Sequence, residues 1–102
     1  MDITKKLDNG KMVVAVSGRV DTSTAPELSA ALQLDGVKDL VIDLSGVPYM
    51  SSAGLRCLLV AQKSMIASGG EMRLSGVQPV VMEVLDLTGF SSIFTIAQAS
   101  VS

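Results

Sequence analysis

The sequence predicts an α/β domain in which a mixed β-sheet, opened by an N-terminal hairpin, alternates with α-helices. Three observations lead to that class. The pair Asn9-Gly10 separates two short β-prone runs, and this dipeptide closes a tight hairpin because both residues tolerate positive φ. Beyond the hairpin, runs with helical spacing alternate with short apolar runs, the order of parallel strands joined by right-handed helical crossovers. Hydrophobic residues make up 48% of the chain but aromatic ones only 3%, so aliphatic side chains must fill the core. A length of 102 residues suits one domain, residues 1–102.

Each element follows from local signals. Residues 3–7 and 12–16 form the hairpin strands, and the second strand ends near Gly18-Arg19-Val20. Polar residues from Asp21 to Thr24 then offer caps, Pro26 suits a first helical turn, and Thr24 and Glu27 have the spacing of a capping box. Leu28, Ala31 and Leu32 recur at helical intervals, with Gly36 as the stop beyond them. Residues 39–44 are short, apolar and β-branched enough for a central strand, broken by Ser45-Gly46-Val47-Pro48. From Leu55, the apolar positions Leu58, Leu59, Met65 and Ile66 share one helical arc with Gln62, which needs a hydrogen-bond partner if buried. Ser68-Gly69-Gly70 ends that helix. Residues 72–75 read as a strand, 79–87 as a helix closed by Gly89, and 93–96 as a last strand. The tail after Ala97 carries no signal.

Composition removes several classes of function. The chain has no histidine, which excludes a Ser-His-Asp triad, a Cys-His pair and a histidine-based metal site. No metal ligand set, catalytic residue or cofactor is expected. The glycines do not fall into a P-loop or dinucleotide fingerprint. Asp21 and Asp43 approach one end of the sheet, but a residue beside a helix start and one inside a strand both have ordinary structural roles. A net charge of −2 and few aromatic residues offer neither a phosphate-binding surface nor stacking platforms, so no nucleic-acid partner is expected. No run reaches the roughly 18 to 20 apolar residues of a membrane span, and the charged start, residues 1–11, is unlike a secretory signal. The one cysteine, Cys57, lies off the apolar arc of its helix and is read as a packing residue. With no internal disulfide to form, it fits a reducing cytoplasm.

The segment Tyr49-Met50-Ser51-Ser52-Ala53-Gly54-Leu55 places two hydroxyls where a strand loop gives way to an amphipathic helix. Serine is a favoured N-cap, so one of the pair has a purely structural reading. The other reading is a phosphorylation site, where a phosphoryl group meets free backbone amides and the positive end of the helix dipole. It would add about −1.5 to −2 charges to the sheet edge.

At this segment the sequence resembles the STAS domain family, in particular bacterial anti-sigma factor antagonists. The stretches Gly18 to Leu28, Leu40 to Val47, Ser51 to Leu55, Gly69 to Leu74, and Leu87-Thr88-Gly89-Phe90 with Phe94-Thr95-Ile96 fit the family in order and spacing. The resemblance implies a mixed β-sheet edged by the N-terminal hairpin with α-helices packed on one side, in a binding module rather than an enzyme. Its partner would be an anti-sigma factor with serine-kinase activity: the unmodified domain binds it and frees the sigma factor, phosphorylation of Ser52 ends the binding, and a phosphatase restores it. Asp21 is implied to help the kinase dock. The implied contact set is Asp21, Thr22, Ser51, Ser52, Ala53, Gly54 and Arg56. The family usually carries Asp before the phosphorylated serine, whereas this chain has Ser51, a second possible acceptor. Two other uses stay open at this point. One is a non-switching subunit of a transporter complex or stress-sensing scaffold, with the serines as caps. The other, an enzyme with Ser52 as nucleophile, lacks a base.

Overall fold

Asn9 and Gly10 sit at φ of 51° and 83°, so the Asn-Gly turn forms as its side chains dictate. It joins Asp2–Asp8 (β1) to Lys11–Ser17 (β2) in an antiparallel pair. The computed structural model describes residues 1–33 and 36–97; the tail beyond Ala97 lies outside them. The remaining elements are Ala25–Ala31 (α1), Asp39–Gly46 (β3), Ser52–Ala67 (α2), Glu71–Ser75 (β4), Pro79–Thr88 (α3), a 3-10 turn at Phe90–Ser92, and Thr95–Ile96 (β5).

The five strands lie in the order β1-β2-β3-β4-β5. β1 is antiparallel to β2, and every later pairing is parallel. Alternation decides which face is covered, because successive strand side chains point to opposite sides. Val14 and Val16 of β2, Leu40, Ile42 and Leu44 of β3, and Met72 and Leu74 of β4 are buried. They form one cluster with Leu28 of α1, Leu55 and Leu58 of α2, and Val81 and Leu85 of α3. All three helices therefore cover one face. Each fully buried Leu or Ile in that layer contributes on the order of 1.5–3 kcal/mol. On the other face, Val13, Val41 and Arg73 are in register and only half-buried, and Arg73 Nη2 pairs with Asp39 Oδ1 at 2.9 Å.

Four local expectations need correction. The capping box at the start of α1 lies three residues earlier than Thr24 and Glu27: Thr24 is in the αR region and makes no capping bond to the helix. Asp21 Oδ1 instead accepts the Thr24 amide at 3.2 Å, while Thr24 Oγ1 accepts the Asp21 amide at 2.9 Å. The reciprocal pattern is the same, but it belongs to the turn that feeds the helix. α1 ends at Ala31 with Leu32 as its C-cap, well before Gly36, so that glycine is not its stop. In α2 the buried positions are Gly54, Leu55, Leu58, Ala61, Gln62 and Met65. Leu59 is half-buried and Ile66 is exposed. The buried face is rotated toward Gly54 and Ala61, whose small side chains let the helix approach its neighbours. The last strand is shortened to Thr95–Ile96 because Phe90–Ser92 coils first, which brings Phe90 and Phe94 edge to face at 6.3 Å. Gln62 is buried, as its place on the arc suggests, and its Nε2 donates to the Ile93 carbonyl at 3.1 Å.

Candidate functional site

The ends of β2 and β3 lie side by side, and the chains leaving them stay together. Gly18, at φ 99°, donates its amide to the Gly46 carbonyl at 2.8 Å. Val20 and Met50 then form an isolated parallel bridge. The loop carrying Asp21 is thereby fastened to the loop carrying Ser51 and Ser52. Where the sequence suggests β2 running on to Val20, the regular strand stops at Ser17 and this single bridge replaces it.

Asp21 turns inward on its own loop. Its Oδ1 accepts the Ser23 hydroxyl at 2.7 Å and the Ser23 amide at 2.9 Å besides the Thr24 amide. The Ser23 hydroxyl, followed by these amides, holds the carboxyl below the usual carboxylate range, outweighing the opposite effect of desolvation. Asp21 also meets Arg19 Nε at 3.5 Å, and the Arg19 guanidinium lies 4.3 Å from the centroid of the Tyr49 ring. This contact ties the two loops a second time. Asp43 accepts the Ser45 amide at 2.9 Å. Each aspartate is thus occupied by its own turn.

The two serines differ. Ser51 is the N-cap of α2, yet its side chain makes no capping bond, and its Oγ is buried without a partner among the described residues. The structural reading of a capping hydroxyl is not realised by Ser51. Ser52 is the first residue of α2 and is exposed. Gly54 is buried, and a Cβ there would lie 2.6 Å from Val20 Cγ1 and 2.8 Å from Met50 Cγ. Its role is to let the first turn of α2 close on the bridge, not to offer a surface.

Ser52 and Arg56 stand between two cavities. One, of about 460 Å³, opens between α1 and α2 and is lined by Thr22, Ala25, Pro26, Ser29, Ala53, Cys57 and Val60 together with the pair. The other, of about 270 Å³, is bordered by Leu55, Leu59, Thr88 and Phe90 beside them. Of the residues singled out from sequence, Thr22, Ser52, Ala53 and Arg56 share the larger groove, while Asp21, Ser51 and Gly54 support it from behind. Sequence reasoning missed the walls. Ala53, Cys57 and Val60 recur at helical spacing on the face of α2 turned away from its apolar arc, a signal present in the sequence. Their complements Ala25, Pro26 and Ser29 come from a different helix. Cys57 is half-buried and donates to the Ala25 carbonyl at 3.4 Å; burial pushes its thiol pKa up, consistent with a packing role.

Among the described residues no cluster of three or more His, Cys, Asp or Glu could hold a metal ion, and no helix is long and apolar enough to cross a membrane. A model of the STAS domain matches residues 2–102. The chain is 36% identical over 102 residues to BtrV of Bordetella bronchiseptica, provisionally named an anti-sigma factor antagonist; the match covers 97% of this chain and 88% of that protein. It is 35% identical over 95 residues to the anti-sigma-B factor antagonist of Listeria monocytogenes, covering 90% of this chain and 83% of the relative. The crystal structure of an anti-sigma factor antagonist from Mycobacterium paratuberculosis superposes with a TM-score of 0.87 at 30% identity, covering 96% of this chain and 86% of that one.

Proposed function

This chain belongs to the STAS domain family, and from that membership we propose that it is an anti-sigma factor antagonist switched by phosphorylation of Ser52. The observation that carries the reading is the contrast between the two hydroxyls: Ser52 is exposed at the start of α2 between two grooves, whereas Ser51 Oγ is buried. The names of the relatives support the partner class.

In the unmodified state, the chain binds an anti-sigma factor through the surface around Thr22, Ser52, Ala53 and Arg56, releasing the sigma factor. The anti-sigma factor is also the kinase. Ser52 Oγ attacks the γ-phosphorus of ATP, the bond from that phosphorus to the β,γ-bridging oxygen breaks, ADP leaves, and the serine proton passes to a base on the kinase. A phosphatase returns the hydroxyl by hydrolysis. No base or nucleotide-binding motif is required of this chain, which acts as substrate and ligand.

The magnitudes suffice for a switch. A stable interface needs about 800 Å² from each partner. A phosphate lodged at its centre without a matching cation on the partner costs several kcal/mol in desolvation, and each 1.4 kcal/mol is about tenfold in affinity. The test is capture of partners from a cell lysate by the unmodified chain and by the chain phosphorylated at Ser52. Recovery of a kinase anti-sigma factor by the first form only supports the proposal; equal recovery by both overturns the switch.

A further inference from the structure

Arg56 lies four residues beyond Ser52 on α2, and both residues border each of the two flanking cavities. Among the described residues it is the only charged one lining either cavity. Among the described residues it makes no ion pair, whereas the other exposed arginine at this end of the sheet, Arg19, is engaged by Asp21 and Tyr49. On a helix, positions i and i+4 lie on the same face about 5–6 Å apart at Cβ, and an acidic group N-terminal to a basic one is the favourable order. Ala53 and Gly54, the small residues of that turn, put no bulk beside the pair.

We propose that Arg56 is the internal receptor for the Ser52 phosphoryl group: on modification, the guanidinium binds the phosphate across one turn of α2. This deepens the reading above and rests on Ser52 being the modified residue. A guanidinium presents a planar fork of donors matched to phosphate oxygens, so the contact is charge-assisted and can be bidentate. The consequence concerns the partner. Before modification, Arg56, without an ion-pair partner among the described residues, is a cation on the ridge between the grooves, complementary to a carboxylate on the docking protein. Afterwards it is withdrawn into an ion pair whose net charge is about −0.5 to −1, from a phosphate of about −1.5 to −2 and one cation. Phosphorylation thus removes an attraction as well as adding a repulsion.

The experiment uses the full chain with phosphoserine incorporated at position 52 during translation, so it does not depend on the kinase. Phosphorus NMR titration of the phosphoserine is run on wild type, Arg56→Gln, Arg56→Lys and Arg19→Gln. The expected second phosphate pKa is lowest in wild type, about 0.5 units higher in Arg56→Gln, intermediate in Arg56→Lys, and unchanged in Arg19→Gln, since a nearby cation favours the dianion. Equal values in wild type and Arg56→Gln overturn the proposal, as does an equal shift in Arg19→Gln, which would mean a diffuse field rather than a paired contact. Thermal melts of the unphosphorylated variants establish that each is folded. A separate incubation of the unmodified chain with ATP and its kinase partner keeps the two readings apart: no phosphate on Ser52 there overturns the proposed function and leaves the titration result standing.

Discussion

Val20 and Met50 join the two loops of the candidate site through one bridge: the Val20 amide donates to the Tyr49 carbonyl at 3.1 Å, and the Ser51 amide donates to the Val20 carbonyl at 2.8 Å. Both side chains are buried, and Gly54 of α2 rests against them. The exposed Ser52 thus sits on a turn whose underside is packed core.

Gly54→Ala tests that packing. An Ala in a helix interior gains up to about 1 kcal/mol over Gly, but a Cβ at 2.6 Å from the stiff Val20 side chain forces the turn outward, at an overpacking cost of about 1–3 kcal/mol. The expected net result is a loss of roughly 1 kcal/mol in urea unfolding. A gain in stability would show that α2 moves freely over the bridge.

The serine pair separates by two measurements. If Ser52 is the acceptor proposed above, Ser52→Ala is expected to abolish phosphate uptake in intact-mass analysis after incubation with ATP and the proposed kinase partner, while Ser51→Ala is expected to retain it. Ser51→Ala removes a buried hydroxyl that has no hydrogen bond among the described residues, so unfolding stability is expected to stay within about 0.5 kcal/mol of wild type. Loss of phosphate from Ser51→Ala alone would move the acceptor by one residue.

Ser52→Glu adds one negative charge at the first position of α2, where the dipole favours it by about 0.3–1 kcal/mol. Its melting temperature is therefore expected to match or exceed that of wild type, and its affinity for the proposed anti-sigma partner is expected to fall, though by less than phosphoserine lowers it. Titration calorimetry beside thermal melts checks both halves. Three equal affinities for wild type, Ser52→Glu and phosphorylated chain would rule out a charge switch.

Asp21 makes the stability pH-dependent in a known direction. Its folded-state pKa is lowered, chiefly by the Ser23 hydroxyl, so the unfolded chain binds the proton more readily. The contribution is fully present above the unfolded value of about 3.9 and is lost as pH falls from there through the folded value. In urea unfolding, the gap between wild type and Asp21→Asn should be constant from pH 7 to pH 5 and shrink by pH 3. A gap of the same size at pH 3 would mean that the charge is irrelevant to the loop.

The sequence by itself determined whatever depends on neighbours along the chain. Asn9-Gly10 specifies its turn because backbone sterics at two adjacent residues suffice. The short, β-branched apolar run at residues 39–44 specifies a central strand covered on at least one face, and Ser51-Ser52-Ala53-Gly54-Leu55 marks the loop-to-helix junction. Only the tertiary structure decided what depends on contacts between distant segments. Asp21-x-x-Thr24 and Thr24-x-x-Glu27 are both plausible caps in sequence, and the choice fell to the first because Val20 is held by Met50, which sets where the turn begins. The groove beneath Ser52 needs Pro26 and Ser29 of α1 opposite Cys57 and Val60 of α2, residues roughly thirty positions apart. The contrast between Ser51 and Ser52, identical side chains in adjacent positions, is likewise invisible to local pattern: the path of the chain off the bridge turns one hydroxyl into the packed interior and leaves the other in solvent.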